Sequence, residues 1–154
     1  MRKVTGFQNF FKEPLKTMKS LSVAVCVDER GGMTFFGKRQ SRDRVLIQEL
    51  LDSTKGKVYI RKFSSLLFEG HEDRIVVCED PFSGAGDDDV IFIEDMPLKD
   101  KTNEIDRLIV YCWGKVYPSD KKLGFKPEEC FGAIESSEFA GSSHDKITKT
   151  VYKK

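Results

Sequence analysis

The chain is poor in the residues that build metal centres, disulfide frameworks and membrane spans. Its two histidines, His71 and His144, stand apart from each other and from any cysteine at ligand spacing, so no metal site is expected. The H-x-H-x-D-H cluster that a metal-dependent nuclease needs is missing, as is the G-x-S-x-G elbow of a nucleophile-triad hydrolase. The four cysteines, Cys26, Cys78, Cys112 and Cys130, include no C-x-x-C pair, and three lie in hydrophobic runs. They read as buried free thiols of a reducing compartment, so a cytoplasmic location is the expectation. No apolar run approaches the roughly 18 residues of a membrane-spanning helix. The net charge of +1 gives no global attraction to nucleic acid or anionic membranes, so any anion binding must come from local clustering.

The 154 residues, 33% charged and 39% hydrophobic, suit one globular domain. Residues 1–19 read as an appendage: Phe7, Phe10, Phe11 and Leu15 would share a helical face, but Pro14 interrupts it. A flexible extension, or an over-long start with Met18 as initiator, is the expectation, with an amphipathic membrane or partner helix as the alternative. The domain proper is expected over residues 20–154.

Leu21 to Val27 is a short, almost wholly apolar run, the pattern of a strand buried on both faces. A glycine-bearing loop follows, and Ser41 is placed to cap a helix from about Arg42 to Ser53, with Val45, Leu46, Leu50 and Leu51 on its apolar face. Further strands are expected at 57–60, 74–78, 90–93 and from Arg107, with a short helix over 64–68. The 81–89 stretch, rich in Pro, Gly and Asp, reads as a loop. Its three adjacent aspartates lack the D-x-D-x-D-G spacing of a calcium loop. Residues 130–135 and 147–152 read as two antiparallel edge strands. Together these elements make an α/β domain: a single three-layer unit with a mixed β-sheet flanked by helices and antiparallel C-terminal strands.

The segment from Gly31 to Arg44 follows a strand and opens a helix, and it carries Lys38, Arg39, Arg42 and Arg44 beside Phe35 and Phe36. Cations near a helix start can hold an anion, and aromatic rings can stack on a base, whether of a small ligand or of nucleic acid. A solvated loop partly neutralised by Asp28, Glu29 and Asp43 is the competing reading. Trp113 and Tyr111 read as core residues, and His144, in the turn Gly141-Ser-Ser-His-Asp145, as exposed, although it could be a base near a hydroxyl.

The order of elements resembles the dihydrofolate reductase fold, shared with the reductase domain of riboflavin biosynthesis. Four local matches carry the resemblance from about Leu21 to Lys154. Val23-Ala-Val-Cys-Val-Asp28 followed by Gly32-Met33 looks like the first strand and its mobile loop. Gln40-Ser41-Arg42-Asp43 sits where those reductases carry L-P-x-D. Ile60-Arg-Lys-Phe-Ser-Ser-Leu-Leu-Phe68 is similar to M-G-R-x-T-x-x-S-I, and Val116-Tyr-Pro-Ser-Asp-Lys-Lys-Leu-Gly-Phe125 to V-x-G-D-x-x-F-P. The resemblance implies Asp43 as the buried proton-handling carboxylate, Lys62 and Ser64 as holders of cofactor phosphate, and NADP as cofactor. Read without it, Asp43 is a first-turn aspartate stabilised by the helix dipole, and Lys62 and Ser64 are a strand-end cation and a helix cap.

Two departures bear on the cofactor. Those reductases place a glycine pair where the backbone meets the pyrophosphate, whereas Ile91-Phe-Ile-Glu-Asp-Met-Pro-Leu98 has no glycine, and Pro97 lacks a donor. Arg61 stands at the first glycine of M-G-R. The leading expectation is therefore a divergent reductase-fold protein that binds a small nucleotide-like or pterin-like anion without standard NADPH chemistry. Arg39, Arg42, Lys62, Phe35 and Phe36 would line its site. An active NADPH-dependent reductase using Asp43, and a macromolecule-binding protein using the basic loop 38–44, are the alternatives.

Overall fold

The computed structural model describes residues 20–154, so the expectations for the 1–19 extension lie outside the described residues. Seven strands form one mixed sheet: β1 (Leu21–Val27), β4 (Val58–Ile60), β5 (Ile75–Val77), β6 (Val90–Ile93), β7 (Ile105–Cys112), β9 (Gly132–Phe139) and β10 (Ile147–Lys153). The spatial order is β9-β10-β7-β1-β6-β4-β5. β1 runs parallel to both β6 and β7, and β4 parallel to β5 and β6, while β9 and β10 close the other side antiparallel. A small second sheet of β2 (Gly32–Phe35), β3 (Lys38–Arg39) and β8 (Lys121–Lys122) stands apart, in the order β3-β2-β8.

Three layers follow from the period-2 alternation of strand side chains. On one face, Leu21, Val23 and Val25 of β1 pack with Phe82, Leu98, Leu123 and Phe131. On the other, Ala24 joins Leu46, Ile47, Leu50 and Leu51 of helix α1 (Arg44–Asp52) and Phe68 of the 3-10 helix Lys62–Phe68. α1 thus buries a single stripe at positions i, i+1, i+4 and i+5, as an amphipathic helix lying on a sheet should. No helix among the described residues is long and apolar enough to cross a membrane.

Several local expectations need correction. The cap of α1 is Asp43, not Ser41, and its carboxylate accepts from the Val45 and Leu46 N–H groups, so the helix opens at Arg44. Val45 is 40% exposed and lies off the core stripe. The 81–89 loop contains a helical turn, α2 (Pro81–Gly84), started by a proline whose missing N–H costs nothing at that position. A second such turn, α3 (Pro127–Cys130), takes up Cys130, expected to begin the strand, so β9 starts at Gly132. β10 is not an edge strand, because it is paired on both sides; β9 alone is the edge there. Cys130 is exposed, and the other three free thiols are only partly covered.

Candidate functional site

Parallel strands end together, and the crevice of an open α/β sheet forms beyond their C-terminal ends. Here β1 is followed by Asp28, β4 by Arg61, β6 by Glu94 and β7 by Trp113, so four chemically active side chains share one end of the sheet. The β2–β3 hairpin and the start of α1 follow directly from β1 at that same end.

Glu94 is the electrostatic centre of this end. It is buried, and Arg39 clamps it as a fork, Nε donating to Oε1 at 2.8 Å and Nη2 to Oε2 at 2.9 Å. Ser64 donates its hydroxyl to Oε2 at 2.6 Å. The same guanidinium donates to the Phe63 carbonyl at 2.9 Å and lies 4.7 Å above the Phe63 ring. Its hydrogen bonds to Glu94 hold Arg39 more firmly protonated than usual, against the opposing effect of burial. Arg39 and Ser64, both expected to meet a ligand, are therefore brought together, but on the protein's own carboxylate. Arg61 reaches Asp95 at 3.1 Å, and Lys121 donates to the Asp95 carbonyl at 3.2 Å.

This arrangement fits NADP poorly. A cofactor phosphate needs free donors, yet the Ser64 hydroxyl and the Arg39 fork are both engaged. Glu94, immediately after β6, consumes these donors, so a second anion there would have to compete with a buried carboxylate for them. Lys62 is exposed beside this cluster and has no ion pair among the described residues.

The start of α1 carries a second buried cluster. Asp43 is 3% exposed, and both of its oxygens are filled. Oδ1 accepts from the backbone N–H groups of Val45 at 3.0 Å, Leu46 at 3.3 Å and Ser142 at 2.8 Å, and from the Ser142 hydroxyl at 3.2 Å. Oδ2 accepts from the Ser143 N–H at 2.8 Å and from His144 Nδ1 at 3.0 Å. Burial alone would raise this carboxyl's pKa, but the hydrogen bonds from His144, Ser142, Ser143 and Leu46 outweigh it and hold the group well below the usual carboxylate range.

His144, expected to be exposed in a turn, is 5% exposed. It lies under Trp113, ring to ring at 4.4 Å and 24°. An ionised Asp43 can only accept, so Nδ1 carries a hydrogen and Nε2 is left facing two hydroxyls. Ser41 Oγ lies 2.9 Å from Nε2 and Tyr117 Oη 3.3 Å. Gly141 is required here, because a Cβ on it would fall 2.2 Å from Asp43 Oδ2. No local signal marks this cluster: the partners come from the loop before α1, the end of β7 and the β9–β10 connection.

The β2–β3 hairpin presents Phe35 and Phe36 with ring centroids 4.2 Å apart. Phe36 is 76% exposed and holds φ at 50°, a left-handed conformation that costs a bulky residue about 1 kcal/mol or more. Its N–H is anchored by Asp120, which fixes the turn. Arg42 and Arg44 are exposed, without ion pairs among the described residues. Asp28, a buried carboxylate that sequence reasoning left among the loop's neutralising charges, ties this region down by accepting from the N–H groups of Arg30, Gly32 and Tyr117 and from Gln40. A separate open groove of about 620 Å³ runs beside α1, lined by Val45, Gln48, Leu67, His71 and Phe139 among others. Of the basic loop 38–44 only Arg44 contributes to it, and none of Phe35, Phe36, Arg39, Arg42, Asp43, Lys62 and Ser64 does.

Comparison with known proteins bears on the fold alone. No family model matches the chain, and no curated protein sequence does. Among solved structures, it is similar to dihydrofolate reductase from Enterococcus faecalis complexed with NADP(H) and RAB-propyl, with a TM-score of 0.59 over 86% of this chain and 95% of that one at 9% identity. The chain has a dihydrofolate reductase-like fold.

Proposed function

We propose that the protein is a reductase-fold binding protein that takes a small nucleotide-like anion at the C-terminal ends of its parallel strands, without NADPH-dependent hydride transfer. One observation carries this reading: Glu94, locked by Arg39 and Ser64, stands after β6 where the fold's cofactor phosphates would need donors. A nucleotide-like ligand is favoured over a pterin-like one because a pterin's ring N–H groups need a free carboxylate. Asp43 has no acceptor left to offer. The same saturation argues against Asp43 as the proton relay of an active reductase. The groups that remain available are Phe35 and Phe36 as stacking faces, with Arg42 and Lys62 as phosphate donors.

Calorimetric titration of the full chain with NADPH and with nucleoside mono-, di- and triphosphates tests the reading. Saturable binding of at least one nucleotide near 10–100 μM, about −5.5 to −7 kcal/mol, is expected, with NADPH no tighter than its adenosine fragment. Arg42→Ala and Lys62→Ala should each weaken it by about 1.5–3 kcal/mol if a charged hydrogen bond is lost. Low-micromolar NADPH binding, or nucleotide affinity untouched by both replacements, would overturn it. Because Phe36 is exposed and strained, single-stranded nucleic acid is the second ligand class to include in the panel.

A further inference from the structure

We propose that Ser41, His144 and Asp43 form a nucleophilic relay that hydrolyses carboxylic esters carrying an anionic group. Ser41 Oγ lies 2.9 Å from His144 Nε2, and His144 Nδ1 lies 3.0 Å from Asp43 Oδ2, so the three side chains connect in the order hydroxyl, imidazole, carboxylate. Each link has the chemistry the step requires. Asp43 is buried and, through its N–H donors, held ionised, so it fixes the Nδ1–H tautomer and stabilises the imidazolium that forms on proton uptake. Trp113 stacks on the ring and Gly141 lets the 141–144 turn close on Asp43, so the imidazole is held in one orientation. Ser41 is only partly covered, so the nucleophile end of the relay is the end nearest solvent, whereas Asp43 and His144 are buried.

In the first half-reaction, Ser41 Oγ bonds to the acyl carbon while its proton passes to His144 Nε2. The tetrahedral oxyanion then collapses, the bond to the leaving oxygen breaks, and that oxygen takes the proton from Nε2. Water repeats the sequence on the acyl-serine, so ester plus water gives acid plus alcohol, and Ser41 is restored. The developing oxyanion has a donor at hand. The N–H of Arg42, on the residue after the nucleophile, makes no backbone hydrogen bond among the described residues and sits just ahead of α1. The exposed guanidinium of Arg42 beside the nucleophile sets the preference for an anionic substrate. Tyr117 Oη, 3.3 Å from Nε2, is the competing partner for the imidazole.

Hydrolysis at Ser41 shares only the Arg42 guanidinium with the nucleotide contacts, and covalent labelling of Ser41 is read separately from nucleotide affinity. The full chain is incubated with a fluorophosphonate and, separately, with 4-nitrophenyl acetate and 4-nitrophenyl hemisuccinate. Expected are one covalent adduct by intact mass, mapped to the peptide bearing Ser41, and faster release of nitrophenolate from the hemisuccinate. Ser41→Ala should abolish the adduct, and His144→Gln should slow labelling by at least about 10²-fold. Tyr117→Phe should label at least as fast as the parent protein, since it frees Nε2 from its competitor. Thermal melting of Ser41→Ala, whose replacement removes only a partly covered hydroxyl, verifies that the loss is not unfolding. No adduct on the folded parent chain, or an adduct that survives Ser41→Ala, overturns the proposal.

Discussion

Asp43 and His144 lie 101 residues apart in the chain and 3.0 Å apart in the structure, joined through Oδ2 and Nδ1 inside a buried pocket. The contact ties the first helix of the domain to the connection between its last two strands, so a helix cap and a long-range clamp reside in one side chain.

Replacing that side chain should therefore cost more than a cap. Asp43→Ala leaves the Ser142, Ser143, Val45 and Leu46 N–H groups without their acceptor, and an expected loss of about 2–4 kcal/mol follows from a lost cap plus buried unsatisfied donors. Asp43→Asn should fall between the two, because its amide would turn a donor toward donors. Urea midpoints of the three proteins measure this; a loss under about 1 kcal/mol for the alanine variant would mean that the turn relaxes onto water.

Gly141→Ala places a methyl 2.2 Å from the Asp43 carboxylate oxygen. Overpacking of this kind costs about 1–3 kcal/mol, which for a domain of this size lowers Tm by roughly 2–10 °C. Scanning calorimetry reads the shift, and an unchanged Tm would show that the 141–144 turn is not held against Asp43.

Glu94→Gln keeps the shape but removes the charge that Arg39 and Ser64 answer. Arg39 keeps some exposure, so the expected loss is about 1–3 kcal/mol rather than the larger cost of a fully buried pair. The same change weakens the carboxylate's hold on the Arg39 guanidinium and frees it to meet a phosphate, so NADPH affinity should rise by calorimetry. A variant that is destabilised yet no better at binding NADPH would locate the obstacle elsewhere, with Pro97 next in line.

Acid stability has a definite sign. Asp43, Asp28 and Glu49 all have folded-state pKa values below their ordinary ones, so each contributes stability that is complete above the unfolded carboxylate range, near pH 4, and is lost as pH falls below it. In each, burial pushes upward and hydrogen bonds prevail: from backbone N–H groups at Asp28, from His144 at Asp43, from Lys149 and Tyr111 at Glu49. Urea midpoints should fall steeply from pH 4 to pH 2.5; equal midpoints across that interval would contradict the assignment.

Phe36→Asn should separate strain from function. Asparagine accepts the left-handed backbone at φ 50°, so stability should rise by about 0.5–1 kcal/mol while the stacking face is lost. Nucleotide affinity measured on the same variant should drop. Higher stability with unaltered affinity would remove Phe36 from the binding surface.

The strands that bury both faces were legible residue by residue: Leu21 to Val27 and Val90 to Ile93 end where their apolar runs end, because a central parallel strand must be continuously apolar. The helix on the sheet was legible from its stripe, though not its first turn. Ser41, Asp43 and Arg42 all suit a helix start, and only the approach of the Ser142–His144 turn selects Asp43 as the cap. Arg39 and Ser64 were visible as polar residues beside expected elements, but nothing local pairs them with Glu94, which lies 55 and 30 residues further along.

What the sequence determined by itself was the order of the main-sheet strands and the helix laid on them, since periodicity and turn chemistry act over a few residues. It did not determine the small second sheet, whose β2 and β3 lie within the expected 31–44 loop. The tertiary structure alone decided which charges are free and which are consumed. Arg39 is spent on Glu94 and Asp43 on His144, while Arg42 and Lys62 stay exposed without ion pairs among the described residues. That outcome depends on loops from distant parts of the chain converging at one sheet end, and the stability of a buried charge is set by the partner that arrives there.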